Sequence, residues 1–343
     1  MHIKRALLAS TFLAAATQFA VSPAQAAQFE MTVGGFMEQW FGYTDGPANN
    51  QGFDQQSDGE IEFAPEIALD NGLTVGVSVQ LEAKTDGDQI DQQFLFVEGS
   101  FGRLVMGSEN SAPYLMSITV PSAGAGLDSG DLPNWIAGMN GFLINTANNF
   151  AADEDSSEKV SYFTPRFAGF QLGVSYVPQL QEDIDAPANN NDATRDDAFG
   201  VAVNFDHEFG DFTLGASAGY MHYGDDAAAA GEAPENLAFG LSLGYGGFTV
   251  AGAYNDLNDS VAGDIESFGI GALYDAGPFS VSLGYIYGED KGADSDSNAF
   301  ELGGSYVLGP GVSAVGSIFY GEQETAGVKT DGVAVIGGLA LTF

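Results

Sequence analysis

The chain has 343 residues, with 47 acidic against 9 basic side chains and a formal net charge of −38, yet 45% of it is hydrophobic. That charge excludes a nucleic-acid binder, which needs a basic footprint for phosphates, and 26 Phe, 13 Tyr and 2 Trp exclude wholesale disorder. With no cysteine, disulfide scaffolds, zinc-thiolate centres and cysteine nucleophiles are excluded as well.

Residues 1–26 read as a secretory signal peptide: Lys4 and Arg5 form a basic start, Ala6 to Val21 is mostly apolar, and Ala24-Gln25-Ala26 is a small-residue cleavage pattern. The apolar stretch is shorter than the roughly 20 residues of a membrane span. Cleavage after Ala26 removes two basic residues and no acidic one, taking the net charge to −40.

From residue 27 to 343 the dominant period is two, the signature of strands. Along 60–69 the apolar set Ile61, Phe63, Pro65, Ile67 and Leu69 opposes Glu60, Glu62 and Glu66. Leu73, Val75, Val77, Val79 and Leu81 then alternate with Gln80, Glu82 and Lys84, among other small or polar residues. Further on, Phe279, Val281, Leu283, Tyr285 and Tyr287 alternate with Ser280, Ser282, Gly284, Ile286 and Gly288. At the end of the chain Val333, Val335, Leu339, Leu341 and Phe343 share a face.

Two kinds of connection alternate between these segments. Tight turns fall at 70–72, 101–102, 166–169, 208–211, 246–247, 275–278 and 309–311, with Gly, Asn, Asp and Pro supplying the turn chemistry. Long acidic loops fall at 44–58, 85–91, 110–157, 178–196, 224–235, 255–264, 289–297 and 322–331. Seven tight turns interleaved with eight long loops imply sixteen antiparallel strands with both termini at the tight-turn end, and an even-numbered meander can close into a barrel. A barrel of that size is too wide for side chains to fill, so its interior is wet and its apolar exterior requires lipid. The expected fold is therefore all-β, a transmembrane antiparallel β-barrel. The aromatic pairs Phe167 and Phe170, Phe209 and Phe212, Tyr245 and Phe248, and Tyr274 and Phe279 beside the tight turns suit a membrane interface.

Three stretches carry a family resemblance. Val97-Glu98-Gly99-Ser100-Phe101-Gly102-Arg103-Leu104-Val105-Met106-Gly107, the run from Lys159 to Tyr176 (KVSYFTPRFAGFQLGVSY), and the closing strand that ends on Phe343 resemble the corresponding hairpins and terminal strand of Gram-negative general porins. The resemblance implies an outer-membrane homotrimer of water-filled diffusion channels for small hydrophilic solutes and ions, each narrowed by a third external loop folded into the lumen. Residues 110–157, the longest loop, would be that constriction. The family often sets a basic residue directly after the glycine that ends the preceding strand; here Gly107 is followed by Ser108 and Glu109.

Strand parity directs Glu60, Glu62, Glu66, Glu82 and Lys84 to the lumen, with Arg103 near the short-turn end and Glu109, Asp128 and Asp131 entering from the third loop. Each also has a plainer role: Glu60 and Glu62 as rim residues, Asp128 and Asp131 as turn or cap residues, and Lys84 and Arg103 as structural counter-ions. With so few basic residues, the lumen potential is expected to be negative and the pore cation-selective. No cofactor is required. The acidic loop clusters Asp86, Asp88 and Asp91, and Glu289, Asp290, Asp294 and Asp296, offer hard oxygen ligands for Ca²⁺ or Mg²⁺, which could bridge the loops to lipopolysaccharide phosphates, though none follows the EF-hand spacing. They also read as solvated charge runs.

Two other readings compete. A substrate-selective, sugar-type channel would use the third-loop aromatics Tyr114, Trp135 and Phe142 as a track, and a structural or adhesive barrel would have a plugged lumen. An enzyme is not expected, because His207 and His222 sit in no nucleophile motif with Ser217 or Ser242.

Overall fold

The structure, a computed structural model, describes residues 29–47, 49–84, 89–127, 131–140, 157–180, 196–224, 233–258 and 263–343, with the side chains of Asp131 and Asp196 excepted. The expected signal segment and Asp86, Asp88, Asp128 and Phe142 lie outside these residues.

Sixteen antiparallel strands form one closed barrel in which each strand pairs with its neighbours in sequence and β1 (Glu30–Asp45) pairs with β16 (Val328–Thr342). At the seam Gly35 and Phe343 exchange backbone hydrogen bonds of 3.1 Å each, so the last residue closes the circle. Closure leaves no strand edge exposed. The seven tight turns stand where the sequence placed them, and Gly72, Gly210, Gly246, Gly277 and Gly311 take the positive φ that such turns need.

The two-residue period sorts the side chains as expected. On β16 Val333, Val335, Leu339 and Leu341 are exposed on the outer face, as are Leu237, Phe239, Leu241, Leu243 and Tyr245 on β10 (Glu235–Tyr245). Ring pairs pack outside near the short turns, with centroids 4.5 Å apart for Phe212–Tyr245, 4.2 Å for Phe248–Tyr274 and 4.6 Å for Phe279–Tyr306. A second set follows the long-loop end, at 5.5 Å for Phe41–Phe53, 4.7 Å for Tyr176–Phe199 and 4.6 Å for Tyr285–Phe300. Two aromatic girdles flanking an apolar band are the exterior that a bilayer requires.

Several expected loops are shorter than their composition suggested. Residues 51–58 extend β2 (Gln51–Ala68), which pairs with β1 from Gln51 to Glu66, and the segment 322–331 is a hairpin whose strands β15 (Val312–Thr325) and β16 meet at Ala326-Gly327. Likewise β13 (Phe279–Asp290) and β14 (Ser295–Gly309) leave only residues 291–294 between them. Beyond the apolar band both faces of a strand meet water, so polar alternation vanishes while the ladder of backbone bonds continues.

Candidate functional site: the lumen and its third loop

The third long loop leaves the end of β5 (Gly102–Ser108), has two short helical turns among its described residues, α1 (Ala112–Leu115) and α2 (Asp131–Trp135), and leads to β6 (Glu158–Phe163). Its backbone is hung on the inner wall by side chains from distant strands. The Ala112 amide donates to Ser175 Oγ at 2.8 Å, Ile118 to Ser217 Oγ at 3.0 Å, Ala123 to Ser282 Oγ at 2.8 Å and Ala125 to Ser317 Oγ at 2.9 Å. Those serines belong to β7 (Phe170–Gln179), β9 (Phe212–His222), β13 and β15. Further round, Asn140 donates to Gln323 Oε1 at 2.7 Å, Ala137 to Asn50 Oδ1 at 3.0 Å, and Gln56 Nε2 donates to the Asn134 carbonyl at 2.8 Å. The loop is thus a belt along the inside of the barrel, and its otherwise orphaned amides find acceptors in the wall.

Glu301 on β14, 2% exposed, anchors the middle of the belt. Its carboxylate accepts from Ser122 Oγ at 2.8 Å, the Gly126 amide at 2.9 Å and Ser317 Oγ at 2.7 Å. The approach is close enough to demand glycine: a Cβ on Gly124 would lie 2.1 Å from Ser317 Oγ, and one on the wall residue Gly240 would lie 2.6 Å from the Ile118 carbonyl oxygen.

Apolar packing reinforces these bonds. Val120, Leu127, Leu132, Trp135, Ile136 and Met139 of the loop pack against inward-facing wall residues that include Trp40, Ile286, Phe319 and Ile336. Tyr114 packs against Val177, Met221, Tyr223 and Leu257. Tyr114 and Trp135 are therefore wedged into the wall, 7% and 4% exposed.

The base of the loop is tied by Lys159, 3% exposed, whose Nζ donates to the carbonyls of Glu109 and, at 2.7 Å, of Ser157. Lys159 stands opposite Gly107 in the ladder. A basic residue is thus present at this level, one strand over from the position the family resemblance pointed to, and its charge is spent on carbonyls.

Glu60 (β2), Glu62 (β2) and Glu82, on β3 (Thr74–Glu82), share the face opposite to the outward-exposed Ile61 and Phe63, and Ser78 Oγ donates to Glu62 Oε1 at 2.7 Å. Glu66 shares that face and is exposed near the short-turn end. Lys84 follows β3 and is exposed. Arg103 pairs with Glu98 at 3.6 Å and lies 4.1 Å from the Phe96 ring centroid, which makes it a structural counter-ion of the wall. Glu109 sits at the loop's base, its side chain accepting from the Asn110 amide at 2.9 Å. Asp131 opens α2.

The loop-cluster reading changes. Among the described residues, the one set of three acidic side chains with converging oxygens is Glu60, Glu82 and Asp91, all within 4.8 Å of one another. Asp91 is an inserted residue on β4 (Ile90–Gly99): Gln80 pairs with Gln92 and Leu81 with Ile90, and this bulge turns Asp91 towards the carboxylates of β2 and β3. Glu289, Asp290, Asp294 and Asp296 form no such set; Asp290 caps the Ala293 amide at 2.8 Å and Asp294 takes a positive φ in the turn. Beside them Lys291 donates to Glu266, a bond that holds the lysine above its ordinary pKa.

What sequence reasoning missed is the docking set: Ser175, Ser217, Ser282, Ser317, Glu301, Gln323 and Asn50. Their one signal was inward parity in strands whose inner face is otherwise small.

A family model described as Gram-negative porin matches residues 9–326. The chain belongs to that family. Of solved structures, an anion-selective porin from Comamonas acidovorans is 17% identical with a TM-score of 0.63, covering 92% of this chain and all of its own. A loop-deletion form of OmpT, an outer membrane protein of Vibrio cholerae, is 16% identical with a TM-score of 0.62, covering 93% of this chain. At such identities the likeness is one of fold. An uncharacterised protein of Rickettsia prowazekii is 27% identical over 141 residues, 35% of this chain and 32% of the relative, so the porin spans about a third of the length of the curated relatives it matches. Family and barrel together indicate the outer membrane as this porin's place.

Proposed function

We propose that this porin is a cation-selective general diffusion channel for small hydrophilic solutes and ions, assembled as a homotrimer and exported by the signal peptide of residues 1–26. The observation that carries the selectivity is the composition of the β2–β4 wall, the arc that completes the circle begun by the loop's traced contacts. It presents Glu60, Glu62, Glu82 and Asp91. Four of the described basic residues, by contrast, are bound elsewhere: Lys159 is buried on carbonyls, Arg103 pairs with Glu98, Lys291 with Glu266 and Lys329 with Glu322 at 2.9 Å, which leaves Lys84 as an exposed cation beside this wall. A lumen charged this way concentrates cations and repels anions. The Comamonas protein's anion selectivity does not argue against this, because selectivity follows the lumen charges of each chain and little of that sequence is shared.

The outer surface supports assembly. Gln39 and Gln55 are exposed on the outward face of β1 and β2, with Gln55 Nε2 donating to Gln39 Oε1 at 3.1 Å, and Gln93 is exposed on β4. Carboxamides fit hydrocarbon poorly and fit a subunit contact well. At the long-loop end the acidic residues offer phosphate-bridging divalent cations a surface against lipopolysaccharide. Reversal potentials in a KCl gradient across a planar bilayer test the reading: a shift of the sign expected for K⁺ supports it, and Cl⁻ preference overturns it.

A further inference from the structure

We infer that the Glu60, Glu82 and Asp91 cluster is a Ca²⁺ site built into the lumen wall. Its carboxylate oxygens lie within 4.8 Å of one another, the largest separation available to two ligands on one ion at about 2.4 Å, the ordinary Ca²⁺ distance. The three side chains come from three adjacent strands, so the spacing is fixed by backbone ladders rather than by a loop. Glu60 is 5% exposed. The insertion at Asp91 is what completes the set, since strict alternation would give neighbouring residues 91 and 92 opposite faces.

A second observation points the same way. Gln92, 2% exposed, follows Asp91 and stands opposite Gln80 in the ladder, and parity turns both carboxamides onto the face of the carboxylates. Gln80 Oε1 and Gln92 Nε2 are buried atoms with no hydrogen-bond partner. An amide oxygen is a hard ligand, and a half-turn of Gln92 exchanges its nitrogen for oxygen, so the wall holds up to two neutral oxygens in addition to the carboxylates. Buried amides are seldom left unsatisfied, and three carboxylates this close repel unless a cation or shared protons offset them. The hard, oxygen-only donor set and its spacing select Ca²⁺ over transition metals.

The inference does not rest on ion selectivity, and the experiment keeps the two apart. Detergent-solubilised full-length protein, stripped with chelator, is titrated with CaCl₂ by calorimetry, alongside Asp91→Asn and Glu82→Gln, with heat-dependent gel migration confirming that all three are folded. The expected result is a Ca²⁺ site in the wild type whose affinity falls at least tenfold in each variant. Added CaCl₂ then lowers single-channel K⁺ conductance in the wild type and leaves Asp91→Asn unaffected. Equal isotherms for wild type and both variants overturn the site, as does the absence of uptake at millimolar Ca²⁺, which would mean shared protons instead. Loss of cation preference with Ca²⁺ binding intact would overturn the selectivity reading alone.

Discussion

Lys159 and Ser157 are two residues apart in sequence, yet the Lys159 ammonium reaches back to the Ser157 carbonyl at 2.7 Å while also bonding the carbonyl of Glu109, fifty residues upstream. One buried cation therefore closes the neck of the third loop. Lys159→Met would keep the apolar stem and leave two buried carbonyls unsatisfied, at about 1–3 kcal/mol each. The expected outcome is a lower unfolding temperature in heat-dependent gel migration and a noisier open channel, with the reversal potential little changed because this charge is not on the permeation surface.

Glu301 holds the belt by hydrogen bonds from the Ser122 hydroxyl and the Gly126 amide, and is itself fixed by the wall hydroxyl of Ser317. Glu301→Ala would free Ser122 and Gly126, and charge-assisted bonds of this kind are worth about 1.5–3 kcal/mol. The loop should leave the wall locally and change single-channel conductance, while Glu301→Gln, which keeps an acceptor, should sit between the wild type and alanine.

At Gly124 the test is steric. Gly124→Ala places a carbon 2.1 Å from Ser317 Oγ and 2.8 Å from Glu301 Oε1. The overpacking cost is about 1–3 kcal/mol, and Ser317→Ala, which removes the nearer atom, should recover part of the unfolding temperature in the double variant.

Selectivity should track the β2–β3 carboxylates. Combining Glu62→Gln with Glu82→Gln should lower the K⁺ over Cl⁻ permeability ratio at least about twofold at 0.1 M salt, where the Debye length is ~10 Å, and less at 1 M, where it is ~3 Å. Reversal potentials at the two salt concentrations give the comparison.

The barrel was legible because lipid outside and water inside impose opposite demands on alternate residues, as Val333 to Leu341 display. The reading failed where that contrast stops. Residues 51–58 and 322–331 are largely polar on both faces, with Gln55 and Ser57 opposing Asp54 and Asp58, and Gln323 and Thr325 opposing Glu322 and Glu324, so they read as loop although they are paired strand. Inward Ile286 and Phe319 broke the polar pattern, and their reason is the loop packed over them. The docking serines were invisible as such, because a serine hydroxyl facing water and one awaiting an amide are written alike. The Glu60, Glu82 and Asp91 cluster was half visible: parity gave the two glutamates, but a single inserted residue decides which way Asp91 points, and composition does not mark it.

The belt also has a bearing on assembly. Its anchors lie 63 residues away at Ser175, 99 at Ser217, 159 at Ser282 and 192 at Ser317, whereas each hairpin pairs strands that adjoin in sequence. Contacts of such separation carry more loop-closure entropy than any hairpin and form late. Strands can zip neighbour by neighbour without the third loop, but its seat is complete only when β15 is in place. Seating the loop is then the chain's own check that the circle has nearly closed, and the bore acquires its final width as one of the last acts of folding.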